Sequence, residues 1–399
     1  MTSRAPGREA DAARLPLDLD ALLDDPTQRT IVCCGSGGVG KTTVSAAIGL
    51  RAAERGRRVV VLTIDPARRL AQSMGLVSLD NEPRRVPDVD ESNGGSLDAM
   101  ALDMKRTFDE IIEAHSDPER AAAILANPFY QSLSSSFAGT QEYMAMEKLA
   151  QLSRQAQADD TWDLIVVDTP PSRSALDFLD APERLGSFLD GQFMRLLTAP
   201  ARKGGRAGLR VVNAGLGMVS SVLDRVLGAQ VLNDVRTFAS SLDAMFGSFR
   251  ERAEATYEML KMPGTSFIVV CAPEPDALRE ATYFVDRLSA DELPLAGTVV
   301  NRVHRPRATA ITADAAAAAA ERADASTAKS DDAATLALTV SMLRLHAQAE
   351  RRYQRERRLI ERFTATAESM PVLLLDALAQ DVHDLDSLRD VGAMFASHE

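Results

Sequence analysis

The chain has 399 residues, 45% hydrophobic and 26% charged, enough to bury a sizeable core in one large domain or two. Its formal net charge is -12 and its pI about 5.1, so no nucleic-acid partner is expected, because phosphate backbones need clustered Lys and Arg. No apolar run is long enough to span a bilayer, so no integral membrane segment is expected.

From the N-terminus, "MTSRAPGREADAARLPLDLDALLDDPTQR" lacks the apolar core of a secretory signal, and its acidity does not suit a mitochondrial transit peptide. Residues 1–28 are expected to form a flexible arm. Six short apolar runs follow: "RTIVCC" (29–34), "RRVVVLTID" (57–65), "WDLIVVDTP" (162–170), "SFIVVCAPEP" (266–275), "AGTVVNRV" (296–303) and "MPVLLLDAL" (370–378). They do not alternate, which suits strands buried on both faces of a parallel sheet. Helical patterns lie between them, such as "KTTVSAAIGLRAAERG" with Gly56 as its stop. This order predicts an α/β fold with a doubly wound, mainly parallel sheet over residues 29–399.

Two long segments, about 97–158 and 178–262, read as helical insertions that pack together as a subdomain. They include "MKRTFDEIIEAH", "TQEYMAMEKLAQLSRQ" and "GLGMVSSVLDRVLGAQVLNDV". The alanine-rich stretch at about 308–334 is expected to be a loop, and "SMLRLHAQAERRYQRERRLIERF" a solvated helix. Arg195, Arg202, Lys203 and Arg206 read as a solvated loop rather than a binding patch. The three cysteines, Cys33, Cys34 and Cys271, stand in apolar runs without metal-ligand spacing. They read as small buried hydrophobes in a reducing cytoplasm.

Between the first strand and the first long helix stands Gly35-Ser36-Gly37-Gly38-Val39-Gly40-Lys41-Thr42, followed by Thr43. It matches G-x-x-x-x-G-K-[ST] in the context a P-loop (Walker A) requires, and the whole set is expected to bind ATP. The glycines let backbone N–H groups close around phosphate oxygens, and the helix N-terminus adds its positive end. Lys41 is expected to reach the β and γ phosphates, and Thr42 to give its hydroxyl to Mg²⁺. Asp168 ends a strand in "LIVVDTPP", where a carboxylate can hold the Mg²⁺ hydration shell. Asp65 lies just past a strand in "LTIDPARRL", where it can orient the attacking water. Ordinary turn capping is the other reading of both acids.

"GGVGKTT", "DPARRL", "DTPPS", "CAPEP" and "VVNRV", in this order and spacing, resemble the arsenite-pump and tail-anchored-protein-targeting ATPases. The resemblance covers about residues 29–392. It implies an ATP-hydrolysing dimer with facing nucleotide sites, "DPARRL" as first switch and "DTPPS" as second. It makes Asp65 the catalytic aspartate, working with Lys41. It places Glu274 and Asn301 on the nucleotide, Asn301 at the adenine. A helix-capping Glu and a strand-end Asn are the alternatives.

The departures from that family are as informative. Arg68 and Arg69 stand where its first switch has His-Asn or His-Ser. No cysteine follows Cys271, so the interface zinc site of the eukaryotic members is not expected, and neither is an iron–sulfur cluster. Arsenite binding is not expected either. Ser36 replaces the lysine that reaches across the dimer to the partner's phosphates. A heterodimer with a homologous, lysine-bearing ATPase subunit is therefore favoured over a homodimer. Turnover by the chain alone is expected to be slow, and a nucleotide-gated scaffold with little turnover is the alternative function. The helical insertion, with two methionines in "EYMAMEK", could hold a hydrophobic client helix or pack on itself.

Overall fold

The computed structural model describes residues 15–64, 69–127, 130–131, 140–170, 251–306, 310–327, 333–366 and 370–396. In chain order its elements are α1 (Leu19–Asp24), β1 (Thr30–Cys34), α2 (Lys41–Glu54), β2 (Arg58–Thr63), α3 (Arg69–Ser73), β3 (Arg84–Arg85), β4 (Ser96–Ala101), α4 (Met104–His115), α5 (Pro118–Leu125), α6 (Thr140–Asp159), β5 (Leu164–Asp168), β6 (Thr265–Cys271), α7 (Pro275–Ala290), β7 (Leu295–Val303), α8 (Ala313–Thr327), α9 (Ala333–Ala365), β8 (Val372–Asp376) and α10 (Leu385–Ala393). Each of the six apolar runs contains a strand of one sheet. Its order is β3-β4-β2-β5-β1-β6-β7-β8, parallel except where β3 meets β4.

The non-alternating runs have the expected cause. β1, β5 and β6 are buried at every position, so each needs apolar side chains on both faces. β1 lies at the centre, with Thr30 opposite both Ile165 of β5 and Thr265 of β6. The chain leaves β1 toward β2 on one side and later builds β6 on the other. That reversal opens a crevice at the carboxyl end of β1, the usual ligand position in such sheets. α2 is buried nearly all round, from Val44 to Ala53, and α10 packs against it. Gly56, at φ 101°, ends α2 with its N–H donating to Ala53 O at 2.9 Å.

Three expectations are corrected. The arm expected over 1–28 contains α1, capped by Asp18, whose side chain accepts from Ala21 N–H at 2.9 Å. Leu19 and Leu23 are fully buried, Arg51 pairs with Asp20, and residues 15–17 run beside β8. Secondly, the first insertion, expected to start near 97 without strands, begins inside β4. Its polar Asp98 disguised the strand, and that carboxylate accepts a 2.7 Å bond from Trp162 Nε1. Thirdly, most of the alanine-rich stretch is helix α8 rather than loop. Ala316 and Ala320, one turn apart, are fully buried where α8 packs on α9, so helix propensity and close approach agree.

The chain divides into two compact units. One is Met1–Ala101, Ala156–Ala175 and Lys261–Glu399, and holds the sheet. The other is Leu102–Gln155 and Leu176–Leu260. In the second unit, Met144 and Met146 are 2% and 0% exposed. Buried Glu147 pairs with Arg154 and Arg252, and buried Lys148 with Glu110. The stretch from Pro171 to Arg250 lies outside the described residues, including "GLGMVSSVLDRVLGAQVLNDV" and the basic residues between 195 and 206.

Candidate nucleotide-binding site

Three strand ends are tied together where β1 gives way to α2. The Thr169 N–H and hydroxyl donate to Cys33 O at 3.2 and 2.9 Å, and Ile64 N–H donates to Asp168 O at 2.9 Å. The loop that starts there has room only for glycine at its ends. At Gly35, φ is 149°, and a Cβ would lie 2.0 Å from the Val270 carbonyl oxygen of β6. At Gly40, φ is 93°, and a Cβ would lie 2.3 Å from Asn301 Nδ2 of β7. Gly40 caps α2, so the helix begins directly at the loop.

Lys41 is only 5% exposed, and its ammonium donates to Ser36 O at 2.8 Å. The Ser36 hydroxyl is buried without a hydrogen-bond partner among the described residues. A buried, unsatisfied hydroxyl is costly, and an anionic oxygen in the cradle would satisfy it. Asp168 is fully buried, and its Oδ2 accepts from Thr42 Oγ1 at 2.8 Å and from Thr63 Oγ1 at 2.9 Å. Thr43 is half-buried in the first turn of α2. Hydroxyl and carboxylate thus sit side by side, a donor set that suits Mg²⁺ with its water shell.

Asn301 also reaches the loop. Its Nδ2 donates to Val39 O at 2.9 Å, and its Oδ1 accepts from Arg302 N–H at 2.9 Å. The Arg302 guanidinium donates to Gly38 O at 2.8 Å. Glu274 occupies the N-cap of α7, yet its side chain makes no cap hydrogen bond and is exposed. Asp65, Pro66 and Arg68 lie outside the described residues. Glycine loop, buried lysine, orphan hydroxyl and hydroxyl–carboxylate pair together fit a magnesium–nucleotide.

The sequence model of the ArsA ATPase family, described as anion-transporting ATPase, matches residues 28–312. This chain belongs to the ArsA ATPase family. It is 26% identical over 296 residues to "ATPase GET3" of Ajellomyces dermatitidis and to that of Blastomyces gilchristii, covering 72% of this chain and 76% of each relative. It is 25% identical over 290 residues to "ATPase get3" of Schizosaccharomyces japonicus, covering 72% and 79%. The chain is therefore an ATPase, with the mainly parallel α/β fold that its motifs imply. Among the described residues, no helix of this ArsA-family ATPase is long and apolar enough to cross a membrane.

All three cysteines of this ArsA-family chain are free and buried. Burial pushes the Cys33 thiol up to about 12, with the Asp168 charge adding and Ser45 and Lys41 opposing. Burial likewise raises Cys34 and Cys271. They are protonated at neutral pH, the poorly ligating form. Two site residues escaped the sequence reading. Thr63 showed only as a hydroxyl closing a strand in "LTID", and Arg302 only as a letter in "VVNRV".

Proposed function

We propose that this chain binds Mg-ATP in the loop from Gly35 to Thr43 and hydrolyses it, with Asp65 aligning the attacking water. The observation that carries the reading is the Thr42–Asp168 hydrogen bond beside the glycine loop. Backbone N–H groups of the loop bind the phosphates, and Lys41 neutralises charge between β and γ positions. Thr42, by its hydroxyl, and Asp168, through the hydration shell, would hold Mg²⁺, which would supply polarisation of the phosphoryl oxygens. Water attacks the γ phosphorus, the bond to the β-γ bridging oxygen breaks, the water's proton passes to the phosphate released, and ADP and inorganic phosphate leave. Glu274 and Asn301 contact the nucleotide, Asn301 at the adenine, as the family resemblance implies.

The resemblance further supports a cytoplasmic dimer in which nucleotide state opens and closes a helical surface for a client or partner. Ser36 favours an asymmetric pair with a homologous, lysine-bearing subunit, because a serine brings no charge to the opposite site. A second reading, a regulatory scaffold that binds ATP with little turnover, requires that no partner ever supplies the charge that Ser36 lacks.

Turnover by the purified chain, alone and with proteins co-purified from its own cell, separates these. Slow turnover alone, raised at least tenfold by a lysine-bearing relative and abolished by Asp65→Asn, is expected. Fast turnover alone would remove the asymmetric pair. ATP binding without turnover under either condition would favour the scaffold.

A further inference from the structure

Arg302 sits in β7 at φ 62°, left-handed backbone that a non-glycine residue rarely adopts. The register between β7 and β8 slips between Val300 and Val303, so Asn301 and Arg302 form a bulge. Bulges re-aim side chains, and strained backbone persists only where its surroundings fix it. Here they do. Asn301 Oδ1 accepts the Arg302 N–H, and Ala377 N–H donates to Val303 O at 2.9 Å. Glu356 of α9, 6% exposed, accepts from His304 N–H at 2.8 Å and from Arg352 at 2.9 Å, and its other oxygen contact is the His304 ring.

This bulge grips two successive carbonyls of the glycine loop, Gly38 through Arg302 and Val39 through Asn301. In a trans peptide the C=O and the following N–H point in opposite directions. A carbonyl held toward β7 therefore turns the next N–H away from β7. We infer that the Asn301–Arg302 bulge is a strap that aims the N–H groups of Val39 and Gly40 into the phosphate cradle, with Arg302 as a positioning residue. The inference rests on the nucleotide reading above and adds to it the means by which the cradle is held ready before phosphate arrives. Pre-aimed donors need no reorganisation on binding. The strain at 302 is retained because glycine, the residue that backbone prefers, has no side chain to reach Gly38.

The test uses the full chain and its Arg302→Gly and Arg302→Lys variants. Binding of Mg-ATP and of inorganic tripolyphosphate is measured beside the melting temperature. Arg302→Gly is expected to melt no lower than the natural chain, since glycine suits the left-handed turn. Its affinity for ATP and for tripolyphosphate should fall by the same factor, about tenfold for a lost charge-assisted hydrogen bond. Arg302→Lys keeps a cationic donor and should recover part of the loss. Unchanged binding by Arg302→Gly would overturn the strap. So would a loss confined to ATP, which would make Arg302 a reader of the nucleoside, or equal losses in both variants together with lower melting. Failure of the natural chain to bind either probe would instead overturn the nucleotide reading itself, and the strap with it.

Discussion

The Lys41 ammonium donates to the Ser36 carbonyl at 2.8 Å, so the retained lysine of the loop lies across the residue where the second lysine is missing. Ser36 itself is only 6% exposed. A lysine there would be too long to stay inside and would have to extend out of the loop. Ser36→Lys is expected to raise turnover by the chain alone at least about tenfold, part of what a cationic finger supplies in related enzymes. The proposed dimer further predicts a rate per chain that climbs with protein concentration. Initial rates over a concentration series check both; a flat, unchanged rate would show that this charge is not what limits the reaction.

Asp168→Asn keeps the size of the side chain and removes its charge. Affinity for Mg²⁺ in the presence of ATP should drop by about 10–100-fold, as for other groups that act around a metal rather than on it. Nucleotide binding in EDTA should change little. A magnesium titration of turnover in the variant decides this.

Gly40→Ala puts a Cβ 2.3 Å from Asn301 Nδ2 on a backbone at φ 93°. The amide cannot simply step aside, because it holds Val39 and Arg302. We expect loss of ATP binding and a destabilisation of about 1–3 kcal/mol in urea unfolding. A variant of natural stability that still binds would contradict the tight contact.

The buried thiols should be silent. Cys33, Cys34 and Cys271 are expected to resist iodoacetamide at mildly alkaline pH until the chain is unfolded, then to react together. A trivalent arsenical should leave turnover unchanged. Labelling of the folded chain, followed by mass spectrometry, would reveal any thiol that is open.

Acid should weaken the joint between β2 and β5. Arg58 hydrogen-bonds the Asp163 carboxylate and holds it below its ordinary 3.8. A depressed folded value means stability that is present above the ordinary value and lost as pH falls through the folded one. Melting temperature should therefore decline below about pH 4, and Asp163→Asn should flatten that decline while lowering the plateau. Identical pH profiles for the two proteins would dismiss the pair as a stabilising contact.

Strands buried on both faces announce themselves, and so β1, β5 and β6 were legible in the sequence. β4 was not, because its hydrogen-bonded Asp98 interrupts the apolar run. In α8 the composition was visible but its meaning was set by α9, against which the small alanines pack. Two methionines in one turn suit a client groove or self-packing alike, and spacing alone does not reveal that 144 and 146 are buried. Gly35 through Thr42 and Asp168 were legible because each stands at a strand end or helix start. Thr63 and Arg302 were not, because their parts depend on partners 105 and 264 positions away.

Thr63 gives Asp168 something the loop alone does not. The carboxylate shares one oxygen between two hydroxyls, and only Thr42 belongs to the phosphate loop. A magnesium ion held as proposed would draw on the Thr42 hydroxyl, whereas the Thr63 hydroxyl, closing β2, would go on donating to the same carboxylate oxygen. The carboxylate's aim would then be set by the sheet rather than by the ion, because Thr63 and Asp168 end neighbouring strands.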